Sequence, residues 1–247
     1  MKKRLLAVGF GIFLIVLWYV IARIIDTTFI LPTPFEVLAA IRNNFREIMT
    51  VHFVATMRVV LIGSLISLVL GLGFATAMII NSSLEKAIYP ILTISQTIPS
   101  MCLTPILVMW FGYTVTTRVI VVVLMTFFSI TVNVFDGFNA VRVETRELLS
   151  TYGANRKQIF WTLQVPTALP YFFTALKVSI PWAVVAASVS EWFGAQAGLG
   201  HFSKERMLSL DVPGLLAPLV VVSITALAIT ELIKFIERKV VTWENDI

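Results

Sequence analysis

Residues 142–164 read RVETRELLSTYGANRKQIFWTLQ and form a polar island between long apolar runs. Glu147, Gly153, Asn155, Arg156, Lys157 and Gln158 crowd into it, whereas the flanking sequence is built largely from Leu, Ile, Val and Phe. The spacing predicts two short helices. The first covers 144–151 and is closed by Gly153, because glycine takes the left-handed backbone that ends helices. Asn155 caps the second, Gln158 serves as its reciprocal capping partner, and Pro166 opens the span that follows. Leu148, Leu149, Ile159, Phe160 and Leu163 supply an apolar face that a solvated connecting loop would leave bare. A helix-Gly-helix element of this kind fits a groove on a partner and passes rigid-body motion to the helices on either side.

The sequence around the island is too apolar for a soluble domain. Of 247 residues, 58% are hydrophobic and 13% charged, about half the charged share of a typical soluble protein, and mean hydropathy is +0.90. An all-α membrane protein with several spans is expected. A net charge of +5 would point a soluble chain toward nucleic acid, but here the basic residues gather at the ends of apolar segments, as orientation signals do. No nucleic-acid partner is expected, and membrane lipids are. The single cysteine, Cys102, excludes an internal disulfide and reads as a small apolar residue. Lys2, Lys3 and Arg4 precede an apolar run that is too long for a secretory signal and lacks a small-residue cleavage site, so a retained first span is expected.

A hydrocarbon core about 30 Å thick takes roughly 20 helical residues. Six segments qualify, at about 5–25, 57–80, 87–111, 118–135, 166–190 and 214–236, in one transmembrane domain over 1–247 with a cytoplasmic loop at 137–165. Pro90, Pro99 and Pro105 should kink or break the third. Alternate loops divide the basic residues unequally. One side holds Lys2, Lys3, Arg4, Lys86, Arg142, Arg146, Arg156, Lys157, Lys234, Arg238 and Lys239; the other holds Arg23, Arg42, Arg46, Arg58, Arg118, Lys204 and Arg206. Positive charge favours the cytoplasmic side, which places both termini and the polar island there. On the outer side, Leu31-Pro32-Thr33-Pro34 should hold the chain extended before a surface helix begins at Glu36. Gly194, Gly198 and Gly200 should turn the backbone sharply in the second long outer loop.

Catalytic chemistry finds little support. His52 and His201 are the only histidines, far apart in sequence and with no Cys or acidic cluster at ligand spacing beside either, so surface or interfacial roles are expected and no metal site. No Lys follows a Gly, which excludes a phosphate-cradling loop of the Walker type. ATP, if used, belongs to another chain, and no cofactor is expected on this one. Small residues recur every fourth position at Gly63, Ser67, Gly71 and Ala75, and again at Ala175, Ser179, Ala183 and Ala187, with Glu191 next in register. In lipid such stripes let helices approach closely. The second could equally line a solute path, with Lys177 and Glu191 as polar contacts; snorkelling or subunit pairing for Lys177 and interfacial anchoring for Glu191 are the alternatives. Asn133 reads as an interhelical hydrogen bond.

Glu147-Leu148-Leu149, three residues, Gly153, nine residues, then Leu163-Gln164-Val165-Pro166 resembles the cytoplasmic signature of binding-protein-dependent ABC permeases: Glu-Ala-Ala, three residues, Gly, nine residues, Ile-x-Leu-Pro. Spacing agrees throughout; Glu, Gly and Pro agree in identity, while Leu-Leu replaces Ala-Ala and Leu163 and Val165 replace the apolar pair. Leu31-Pro32-Thr33-Pro34, Trp110-Phe111-Gly112 and Glu191-Trp192-Phe193-Gly194 through Gly198-Leu199-Gly200 are similar to the nitrate, sulfonate and taurine branch, including its thiamine-precursor relatives. The resemblance implies a type I importer permease of MetI-like fold, with six spans and cytoplasmic termini, in a bacterial inner membrane. It implies a second permease copy, two cytoplasmic ABC ATPase subunits and an extracytoplasmic solute-binding protein. Glu147, Leu148, Leu149, Gly153, Ala154, Asn155, Ile159 and Pro166 become the expected ATPase contacts. The solute would be a small organic anion, which Lys177 slightly favours, or a pyrimidine precursor of thiamine. A transmembrane component of an energy-coupling-factor vitamin transporter and an ion-coupled secondary transporter are the rival classes.

Overall fold

The four-residue period of Gly63, Ser67, Gly71 and Ala75 decides how the central helices meet. The computed structural model describes residues 2–95, 98 and 100–243. Its regular elements are all helical: α1 Lys2–Ile25, α2 Pro34–Asn43, α3 Phe45–Ile80, α4 Ser82–Ser95, α5 Ser100–Phe111, α6 Val115–Asn139, α7 Val143–Thr151, α8 Arg156–Glu191, α9 Leu199–Leu208 and α10 Val212–Val240. Wide π-type turns interrupt α3 at Ile48–His52 and α8 at Phe160–Gln164 without breaking either helix. Among the described residues, α3, α6, α8 and α10 are long and apolar enough to cross a membrane; Gly9–Ile25 and Cys102–Phe111 are shorter apolar helical stretches.

α3, α6 and α8 form the centre of the bundle. All four members of the α3 stripe are buried, while Leu61, Leu65 and Val69 on the far face are exposed to the surroundings, as a lipid-facing surface requires. A β-carbon on Gly63 would stand 2.6 Å from Val122 Cγ1, and one on Gly71 2.7 Å from Ile130 Cγ2. Because hydrocarbon gives no hydrophobic drive to helix association, this close backbone approach and its dispersion contacts hold α3 to α6. Between the two glycines the Ser67 and Thr126 hydroxyls share a hydrogen bond of 2.6 Å. Asn133 does not make the interhelical bond expected of it: its Nδ2 donates to Ser129 O in its own helix, 2.7 Å away. The short Ser and Thr side chains can meet where the glycines bring the backbones together.

Several boundaries depart from the sequence reading for local reasons. No Pro or Gly lies between 45 and 56, so α3 winds on well beyond the expected start at 57. The surface helix begins at Pro34, two residues before Glu36. Thr33 Oγ1 accepts from Glu36 N at 3.3 Å, and Glu36 Oε2 accepts from Thr33 N at 2.6 Å, a reciprocal capping box that uses proline's fixed φ in the first turn. The segment at 87–111, expected to kink or break at its prolines, is two helices, α4 with Pro90 inside it and α5 with Pro105 inside it; Pro99 lies outside the described residues. Pro166 does not open a new helix. It sits just after the wide turn of α8, where the altered winding accommodates a residue that has no N–H to give.

Candidate functional site

Two polar constructions mark the ends of α8, and the helix itself joins them. At the 142–164 end, α7 closes with the pair of hydrogen bonds that a left-handed glycine permits. Ala154 N donates to Leu149 O and Gly153 N donates to Ser150 O, both at 3.0 Å, with Gly153 at φ +86°. This is a Schellman motif, and it satisfies carbonyls that the helix end would otherwise leave open. Asn155 then starts α8: Gln158 N donates to Asn155 Oδ1 at 2.9 Å and Asn155 N to Gln158 Oε1 at 2.8 Å. Three residues, 152–154, therefore set the angle between α7 and the long helix.

The apolar residues of this element divide into two groups. Ile159 is buried and Phe160 packs on Phe138 with ring centroids 5.4 Å apart, so both belong to the bundle and not to an open face. Leu148 (56% exposed) and Tyr152 (82% exposed) project outward with Glu147, Val143 and Asn155. Leu149 and Ala154 are half-buried. The outward-facing apolar surface of this element is thus the α7 tip, with Ile159 buried and Pro166 half-buried at its base.

At the other end of α8, Glu191 has no exposed surface. Thr56 Oγ1 on α3 donates to Glu191 Oε1 at 2.8 Å, and Gly200 N donates to Glu191 Oε2 at 2.8 Å. Leu199 N donates to Thr56 Oγ1 at 2.8 Å, and Gly198 N donates to His52 Nδ1 at 3.2 Å. These amides are the donors that open α9 and have no partner within it, so side chains from α3 and α8 serve as its cap. Gly198, at φ +139°, lies so close that any β-carbon there would collide with the Glu191 carboxyl. Arg118 extends the same region from α6, its Nη1 donating to Ala197 O at 3.4 Å.

Glu191 is accordingly neither an interfacial anchor nor exposed to a solute in this conformation; it is the knot that ties α3, α8 and α9 together. His52, expected at the surface, is buried in the same knot with its ring 6.1 Å from that of His201. Neither role was visible locally, because the partners lie 135 and 146 residues apart in the chain. A Glu followed by Gly198-Leu199-Gly200 was the one available signal.

The remaining candidates fall elsewhere. Ser179, Ala183 and Ala187 are buried against the chain's own α3 and α6 residues, and the Ser179 hydroxyl has no hydrogen-bond partner among the described residues. Lys177 Nζ donates to both carboxylate oxygens of Glu237 on α10, at 2.7 and 2.9 Å. Its charge is balanced within the chain rather than by a second subunit, and it no longer favours an anionic solute. Glu237 had not been singled out, being masked in sequence by its basic neighbours Lys234, Arg238 and Lys239. On the opposite side of α8 from the small-residue stripe, an apolar cavity of about 530 Å³ is bounded by Val185, Ser188, Trp192, Phe193, Leu219 and Val222. No charged side chain lines it.

Residues 63–242 match the family of binding-protein-dependent transport system inner membrane components. The chain belongs to this family. It is 39% identical over 236 residues to the formylaminopyrimidine transport permease protein ThiX of Halalkalibacterium halodurans, covering 96% of this chain and 94% of that relative. It is 23% identical to the taurine transport system permease protein TauC of Escherichia coli, with 100% and 92% covered. The fold matches the MetNI methionine ABC transporter solved in inward-facing conformations, with a TM-score of 0.63 at 19% identity over 75% of this chain and 91% of the other. The protein is a multi-pass membrane permease of the ABC transporter class and of MetI-like fold.

Proposed function

We propose that two copies of this chain form the path of an ABC importer for an aminopyrimidine precursor of thiamine. The observation that carries the solute class is the 39% identity to ThiX along nearly the whole chain. The uncharged, Trp- and Phe-bearing cavity beside α8 supports it, since a flat heteroaromatic ring suits such walls better than a sulfonate does. An extracytoplasmic binding protein delivers the solute, and separate cytoplasmic ATPase subunits bind ATP; this chain needs no cofactor. In this reading the chain crosses six times, by α1, α3, α4 with α5, α6, α8 and α10, so both termini share a side, and the Lys2-Lys3-Arg4 cluster assigns that side to the cytoplasm.

In this mechanism the α7 tip, with Glu147, Leu148, Leu149, Gly153, Ala154 and Asn155, seats on an ATPase. α8 runs unbroken for 36 residues from the tip to Glu191, about 54 Å at 1.5 Å per residue. Closure of the ATPases on ATP therefore moves both ends of one rod, and the Glu191 knot carries α3 and α9 with it. The path between the two copies would follow the large-residue side of α8, where Val178 and Trp182 are exposed, and not the buried Ser179, Ala183 and Ala187 stripe.

A second reading, sulfonate or taurine uptake, is favoured by the TauC likeness. Uptake of labelled formylaminopyrimidine and of labelled taurine should be compared in cells that carry this permease with its cognate ATPase and binding protein. Saturable, ATP-dependent entry of the pyrimidine is expected; entry of taurine alone would overturn the solute assignment while leaving the importer reading in place.

A further inference from the structure

Between α3, α7 and the start of α8 lies a cavity of about 500 Å³ whose wall includes Arg146, Arg156 and Lys157 together with Ile80, Trp161 and Gln164. No acidic residue lines it, and none of the three cations has an ion-pair partner among the described residues. Gln164 also lines the cavity, and its side chain makes no hydrogen bond among the described residues. Three cations on one wall with no carboxylate among them point to an anionic, oxygen-bearing occupant. The depth of the cavity says which one. Thr56 and Glu191 touch, which fixes a common outer level for α3 and α8. With that level at the outer membrane boundary, as the proposed orientation has it, Ile80 about 36 Å along α3 and Trp161 about 45 Å along α8 at 1.5 Å per residue fall in the headgroup layer of the opposite leaflet of a bilayer about 40–45 Å thick. Trp161 (60% exposed) and Ile80 (72% exposed) bring apolar surface to the same spot, as expected beside acyl chains at a membrane boundary.

We propose that this cavity binds the phosphate headgroup of an anionic phospholipid from that leaflet. Arg146, Arg156 and Lys157 neutralise the phosphate, the Gln164 amide donates to one of its oxygens, and the first methylenes of the acyl chains run along Ile80 and Trp161. An acidic patch on a protein partner would match the cations but would leave Ile80 and Trp161 uncovered. The site does not depend on the transport reading, and it ties the base of the α7–α8 element to the bilayer.

The purified full chain should be titrated with phosphatidylglycerol and with phosphatidylcholine in mixed micelles, and bound lipid counted by native mass spectrometry. Phosphatidylglycerol should bind at least about tenfold more tightly, and the preference should shrink to about twofold in the Arg156→Gln/Lys157→Gln variant, in Arg146→Gln on the exposed α7, and at high salt. A Lys239→Gln control should keep it. Three outcomes overturn the proposal: no preference in the unaltered chain, a preference that survives both variants, or displacement of the lipid by millimolar glycerol 3-phosphate or inorganic phosphate, which would mark a site for soluble anions. If the variants keep the lipid preference and instead lose ATPase retention, the cations serve a protein partner and the proposal also fails.

Discussion

Replacing Gly153 with valine is expected to abolish uptake and co-purification of the ATPase while the chain still inserts in the membrane. The reason lies in the backbone, since a β-carbon at Gly153 would meet nothing within 4 Å, yet φ is +86°. A residue with a side chain loses about 1–2 kcal/mol in that region, and a β-branched one more. The strain is relieved by opening the Schellman hydrogen bonds of Ala154 and Gly153, which frees α7 to swing relative to α8. Bundle packing does not involve Gly153, so insertion and thermal stability should change little. Gly153→Asn supplies the control, because asparagine enters the left-handed region more readily and should retain most uptake. Full uptake in the valine variant, measured at normal membrane abundance, would remove the coupling role from this turn.

The second large effect is expected at the other end of α8. Glu191→Ala removes the acceptor of Gly200 N, which is left buried without a partner, and leaves Thr56 Oγ1 only the His52 carbonyl 3.1 Å away. An orphaned buried donor costs about 1–3 kcal/mol, so a drop of about 2 kcal/mol and a clearly lower Tm in detergent are expected. Glu191→Gln keeps the shape and one carbonyl acceptor and should lose only about 1 kcal/mol. Gly198→Ala should resemble the alanine variant at 191, since its methyl group collides with the same carboxyl and its φ of +139° disfavours a side chain. If Glu191→Ala melted like the unaltered chain, the knot would not be a structural element and a direct role for the carboxyl in transport would have to be reconsidered.

What the sequence discloses here follows range. The Gly153 turn and the Asn155–Gln158 capping box are built from residues within five positions of one another, and their types alone specify the geometry seen. Stripes at four-residue spacing likewise announce which face of α3 is buried, because periodicity maps directly onto a helix surface. The fate of single polar side chains is different. Lys177 found Glu237, 60 residues away, and Glu191 found Thr56, 135 residues away, through packing that no local pattern encodes. Asn133 bonds within its own helix, to Ser129 O, and not across the seam. The Ala175, Ser179, Ala183 and Ala187 stripe marked a close approach, but composition alone does not say whether helices or solute fill it; α3 and α6 do. The division of the apolar residues at 148–163 between an exposed tip and a buried base also depended on where α8 enters the bundle, which the π-type turn at Phe160–Gln164 sets.

The most direct test of the coupling mechanism is disulfide or short-linker crosslinking from single cysteines at the α7 tip, Leu148→Cys and Tyr152→Cys, in a Cys102→Ser background, with the cognate ATPase present in native membranes. Crosslinks from both positions to the ATPase, altered in yield by ATP, together with labelling of the same cysteines only from the cytoplasmic side, are expected. Labelling from outside the cell, or the absence of any crosslink to a nucleotide-binding subunit at either position, would contradict the assignment of this tip as the contact through which ATP moves the bundle.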